Sequence, residues 1–332
     1  MARTTRTALL FALAASVAAF GCSKDDKSDA DKETKQTTTE SGAARAKPSA
    51  NSGGKGPAIK VTETGAEPRK ELRFKVNKGD SQKVEMTMLL SMKIDMEGMA
   101  MPETKLPPTK MVMKMDITDV MDNGDSKWEM SILSADVTDD PTVNPAVVSA
   151  ARDGLKGITD FKGWAVIDNR GFVKDADITI PASADPQLKQ MMESTRQSLD
   201  QLTAPLPEEP VGVGAKWVVD QTISQQGMTI QQTANYTVTS IEGDIVKADV
   251  ELVQRADEQT VEMPGMPPGV KARLLQFDTK GSGRTTIDLT KVVPPEGEVE
   301  ANMNMKTRID MQGQSQMMSM SMGMKIIMSA VD

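Results

Sequence analysis

The chain has 332 residues, a net charge of -8, no histidine and a single cysteine, Cys22. Without an imidazole a Ser-His-Asp triad, a Cys-His pair and a histidine zinc site are excluded, and one cysteine allows no internal disulfide or thiolate cluster. The acidic balance argues against nucleic acid as a partner, and no phosphate-cradling glycine loop or acid pair stands out, so binding is expected rather than catalysis, with no catalytic residue and no cofactor.

At the N-terminus, Arg3 and Arg6 precede an apolar run from Ala8 to Phe20. That run is too short to span a bilayer and has the length of a signal-peptide core, so residues 1–21 read as a signal peptide. Ala19-Phe20-Gly21-Cys22 then resembles the lipobox of bacterial lipoproteins, departing from it at Phe20 and Ala19. The resemblance implies that Cys22 is diacylated and anchors the chain to a membrane through a diacylglyceryl group. Ser23, where a retained lipoprotein carries aspartate, implies sorting to the outer membrane, facing the periplasm. Ordinary secretion with a free thiol is the alternative. Residues 22–66 contain hardly an apolar side chain and read as a disordered tether, because such a segment cannot bury enough surface to offset its ordering entropy.

From Glu67 onward the dominant period is two. Val84, Met86, Met88, Leu90, Met92, Ile94 and Met96 alternate with mostly polar residues, as do Met111, Met113, Met115 and Ile117. Met303, Met305, Ile309 and Met311 repeat the pattern, and so do the even positions from Met318 to Met328. Each run predicts a strand with one buried face. Asn123-Gly124, Glu242-Gly243-Asp244 and Asp168-Asn169-Arg170-Gly171 predict the turns of hairpins.

Two helices are expected. Asn144 caps one with Pro145 at its first position, burying Val147, Val148, Ala151 and Leu155 before Gly157. Asp185 and Pro186 open a longer one through Leu188, Met191, Leu199 and Leu202. The fold class is thus mostly β: long antiparallel strands in a curved sheet or half-barrel, with two covering helices, over residues 67–332. The turn at Gly124 and the Gly163-to-Asp168 stretch recur about 120 residues on, at Gly243 and at Gly283 to Asp288. Two duplicated halves, 67–205 and 206–332, would explain this, with chance similarity among hairpins the competing explanation.

Leu206-Pro207-Glu208-Glu209-Pro210-Val211-Gly212-Val213-Gly214-Ala215-Lys216-Trp217 resembles an element of a family of uncharacterised bacterial lipoproteins. That family implies an exported, mostly antiparallel domain and supplies no catalytic residues. The outline is also similar to the half-barrel carriers of the bacterial envelope, whose sheet and helices hold acyl chains.

Three readings of the 26 methionines remain open. They fill a dry core in place of scarce aromatics, they line a groove for an apolar ligand, or their thioethers hold Cu(I). A groove would be lined by Met86, Met88, Met92, Met113, Met115, Met320, Met322 and Met324. No metal is favoured; Cu(I) would fall to the loop methionines Met99, Met101, Met263 and Met266. The leading expectation is a lipid-anchored envelope protein binding a lipid or acyl chain, the competing one a structural or partner-binding lipoprotein with a dry methionine core.

Overall fold

A computed structural model describes residues 57–97, 99–179, 205–225, 228–261, 271–311 and 314–331. Strands β1 (Ala58–Glu63), β2 (Ser81–Met96), β3 (Met99–Ala100), β4 (Thr104–Lys105), β5 (Thr109–Val120), β6 (Ser126–Val137), β7 (Lys162–Ile167) and β8 (Val173–Thr179) come from the first part of the chain. The second part supplies β9 (Lys216–Gln225), β10 (Met228–Glu242), β11 (Ile245–Ala256), β12 (Gln259–Val261), β13 (Lys271–Asp288), β14 (Glu296–Met311) and β15 (Gln314–Val331). All belong to one curved antiparallel sheet, in the order β1-β9-β10-β11-β13-β14-β15-β2-β5-β6-β7-β8, with β12 on β13 and β3 and β4 on β2. The sheet is not closed.

The predicted alternation matches the register. Gly124, Gly171 and Gly243 sit at positive φ in the three predicted turns, the conformation for which glycine is the least costly residue. The strand order runs twice through the same meander, β2-β5-β6-β7-β8 and β9-β10-β11-β13-β14, and β15 joins the two arcs by pairing with both β14 and β2. Local detail recurs with it. A bulge falls between Ile117 and Asp119 in one arc and between Val238 and Ser240 in the other. At each bulge a threonine hydroxyl donates to a lysine carbonyl: Thr118 Oγ1 to Lys127 O at 3.4 Å, Thr239 Oγ1 to Lys247 O at 3.1 Å. Bulges of this kind raise the local twist and bend the strand, here at equivalent places.

The chain folds earlier than the composition implies. Ala58, not Glu67, starts the sheet, since β1 pairs with β9 through Ala58↔Asp220 and Val61↔Trp217. Only Ile59 and Val61 carry the apolar face of this strand. Two apolar residues are too few to signal a strand alone, and the long neighbour β9 supplies the partner.

After β1 the chain runs as a strap across one end of the sheet. Phe74 N donates to Asn169 O and Lys75 N to Leu289 O, both at 2.7 Å, so the strap joins the corresponding turn of each arc. The Leu206–Trp217 element lies against it. Lys70 and Val211 exchange both backbone hydrogen bonds, Gly212 N donates to Thr64 O and Ala66 N to Val213 O. The Arg73 guanidinium donates to the carbonyls of Leu72, Pro207 and Glu208, and Arg170 Nε to Leu206 O. Leu206, Val211, Ala215 and Trp217 are buried, and the Trp217 ring stacks on Tyr236 at 5.0 Å between centroids. Burial pushes the Tyr236 phenol up. Lys70 and Lys75 both donate to Asp244 Oδ1, which holds that partly buried carboxyl below its ordinary range.

Helix α1 (Pro145–Gly154) follows β6 as predicted, with Asn144 Oδ1 accepting from Ala146 N. It buries Val148 beside Val137 and Val143, while Val147, Ala151 and Leu155 are only partly covered. Gly157, at positive φ, turns the chain into a short 3-10 segment, Ile158–Asp160. The second predicted helix, from Asp185, lies outside the described residues.

Candidate functional site

Cross-strand register sets the side chains of the apolar face in rows, because partners on adjacent antiparallel strands point the same way. Where β14, β15 and β2 run side by side, Met303, Met322 and Met92 form one row, and Met305, Met320 and Ile94 the next. Moving toward the strap, the rows become Ala301, Met324 and Leu90, then Val299, Ile326 and Met88, then Gly297, Met328 and Met86. β5 places Met111 beside Met86 and Met113 beside Val84, and β6 places Met130 beside Met115.

The eight methionines predicted to line a groove all occupy this face, in two environments. Met86 and Met115 are each 1% exposed, and with Met113, Val84, Ile132 and Met328 they form a closed cluster. Val292, Val293, Ile158 and Phe161 pack against that cluster, and Gln82 Nε2 donates to Val293 O at 2.6 Å. The cleft beside it, between Met115, Ile117 and Val292, measures about 10 Å³, room for about one water. Met88 and Met324 are half-buried at the edge of the cluster. Further along the same strands Met92, Met320, Met303 and Met305 keep part of their surface open, and Met322 between them is buried.

A polar row meets this strip. Gln221, Gln232, Gln254 and Thr279 are successive cross-strand partners on β9, β10, β11 and β13, and Thr279 pairs in turn with Met303. Gln254 Nε2 donates to Gln232 Oε1 at 2.7 Å, whereas Gln221 Oε1 and Thr279 Oγ1 are buried with no hydrogen-bond partner. The sequence held the signal: Gln221 interrupts the apolar series Trp217, Val219, Ile223 at a buried position. Among the described strand residues no Asp, Glu, Lys or Arg shares the face, and the ionised side chains, such as Lys325 between Glu298 and Glu300, stand on the other. Those two carboxylates raise the Lys325 ammonium above its ordinary value.

The loop methionines divide as well. Met99 and Met101 are 77% and 53% exposed at the end of the sheet away from the strap. Met263 and Met266 lie outside the described residues, as does Cys22; the chain leaves the sheet at Val261 and returns at Lys271, at the same end as Met96. Among the described residues no group of three or more His, Cys, Asp or Glu side chains is placed to hold a metal ion.

Residues 183–294 match a family of unknown function, DUF6263. The span is about a third of the chain and takes in the Leu206–Trp217 element and strands β9 to β13. It ends before β14, so the methionine rows of β14, β15 and β2 fall outside the part similar to that family. No curated protein matches the chain in sequence.

Proposed function

We propose that the protein is a non-catalytic, lipid-anchored component of the bacterial envelope that holds an apolar ligand, a lipid or acyl chain, on the methionine rows of β14, β15 and β2. One observation carries the reading: on a single continuous face, methionine side chains pass from a sealed cluster around Met86 and Met115 to a half-open strip around Met92, Met303, Met305 and Met320. Thioether side chains are flexible and polarisable, and they adapt to apolar partners of varied shape. The lack of ionised groups on the described part of the face removes the desolvation cost that a charge would add to such binding. The anchor would be a diacylglyceryl group on Cys22 in the outer membrane, with the domain facing the periplasm. Some 35 residues separate Cys22 from β1.

Titrating the soluble Cys22→Ser chain with a fluorescent fatty-acid probe should give saturable uptake. No saturable uptake of any acyl probe refutes the carrier reading and leaves a structural or partner-binding lipoprotein with a dry methionine core, which the tight packing of Met86 and Met115 favours. In cell fractions the same substitution should shift the protein from the membrane to the soluble pool. Retention of the variant on the membrane after a high-salt wash refutes the anchor.

A further inference from the structure

We propose that Met96, Met99 and Met318 form a Cu(I)-binding site at the exposed end of the sheet. Met96 and Met99 are partners across the hairpin between β2 and β3, and Met318 on β15 is the partner of Met96 on the other side. Three thioethers from three adjacent strands therefore stand in one row. Neighbouring Cβ atoms in such a row are about 4.5–5.5 Å apart, and methionine has three rotatable side-chain bonds, so the three sulfurs can close on a single ion. Met101 is at hand beside the row, its N–H donating to Ile94 O at 2.9 Å.

Exposure separates two of these residues from the methionines that pack, while Met318 is partly buried. Met96 is 36% and Met99 77% exposed, so neither owes its identity to filling the core. Neutral thioethers are soft donors; they select Cu(I) and leave Zn(II), Mg(II) and Ca(II) to nitrogen and oxygen ligands. Glu97, the residue of the turn that follows Met96, takes the left-handed conformation at φ 47. Binding is coordination alone, with no change of oxidation state. The site shares no residue with the strip of Met92, Met303, Met305 and Met320, so the two readings fail separately.

The test is competition for Cu(I), kept reduced with ascorbate, between the soluble Cys22→Ser chain and a colorimetric Cu(I) chelator. The chain should hold one Cu(I) per molecule, Ag(I) should displace it, and an excess of Zn(II) should not. Joint replacement of Met96, Met99 and Met318 by Leu should weaken retention by about 100-fold, and joint replacement of Met303, Met305 and Met324 by Leu by less than about threefold. Leucine keeps an apolar surface and removes only the sulfurs, so a patch that merely docks an apolar partner gives no difference between the two triples. If the first triple fails to fold, Met99→Leu alone, at the most exposed position, should still lower the affinity about tenfold. Surrender of all Cu(I) by the unaltered Met set to the chelator, or equal retention by the first triple, overturns the proposal.

Discussion

Gly212→Ala is expected to destabilise the domain by about 3 kcal/mol or more, read as a fall in the urea midpoint with little change in slope. A Cβ on Gly212 would lie 1.8 Å from Ala66 O, and one on Gly65 would lie 2.5 Å from Gly212 O. Both obstacles are backbone atoms, held by the hydrogen bonds of Gly212 N to Thr64 O and Ala66 N to Val213 O, so no side-chain rotation relieves the clash. Separating the strands here would also pull Val211 and Leu72 from the cluster around Trp217. Gly214→Ala is the control: it adds left-handed strain at φ +83 but meets open space, and should cost about 1 kcal/mol. A Gly212→Ala protein as stable as Gly214→Ala would mean that strap and element cross with room for a methyl group.

This crossing also accounts for the Leu206–Trp217 element, which lies within the span that matches the family of unknown function. Leu206, Val211, Ala215 and Trp217 face the core, Gly212 admits the strap, and the carbonyls of Pro207 and Glu208 are held by Arg73. The element was recognisable in the sequence as a pattern, but its reason was not, because the partner segment from Thr64 to Phe74 lies about 140 residues away and carries no regular period. The long strands were legible for the opposite reason. Each repeats one physical requirement every second residue, and residues such as Gly124 and Gly243 mark the turns by chemistry that needs no distant partner. β1 escaped detection because its two apolar residues satisfy that requirement for only one turn of the pleat.

Of the candidate site, the face was legible and the depth was not. Alternation tells which side of the sheet a methionine takes, yet Met86 and Met92 are indistinguishable by that test. What separates them is the loop carrying Val292 and Val293, more than 190 residues further along, which covers one end of β2. The copper candidates show the same limit. Sequence spacing grouped Met99 with Met101, its neighbour along the chain, whereas register also brings Met96 and Met318 to Met99 from the adjacent strands.

The difference between sealed and open methionines yields the second large effect. Met115→Ala and Met86→Ala, each at a side chain 1% exposed, should cost about 2–5 kcal/mol, since the cluster cannot collapse around the missing thioether. Met92→Ala and Met320→Ala, on the same face and strands β2 and β15, should cost less, about 1–2 kcal/mol, because part of each side chain is already open to solvent. Binding should show the reverse order. An acyl probe held on the strip loses contact area with Met92→Ala and Met320→Ala, and its affinity for the double variant should fall about tenfold, the equivalent of 1.4 kcal/mol. The two sealed positions touch no ligand, so once correction is made for the unfolded fraction their variants should bind the probe as the parent does. Chemical denaturation and probe titration on the four variants separate the possibilities. Equal stability losses at all four sites would make the whole face a dry core. Stability losses in the expected order with no change in probe affinity would keep the strip open but place the acyl chain elsewhere.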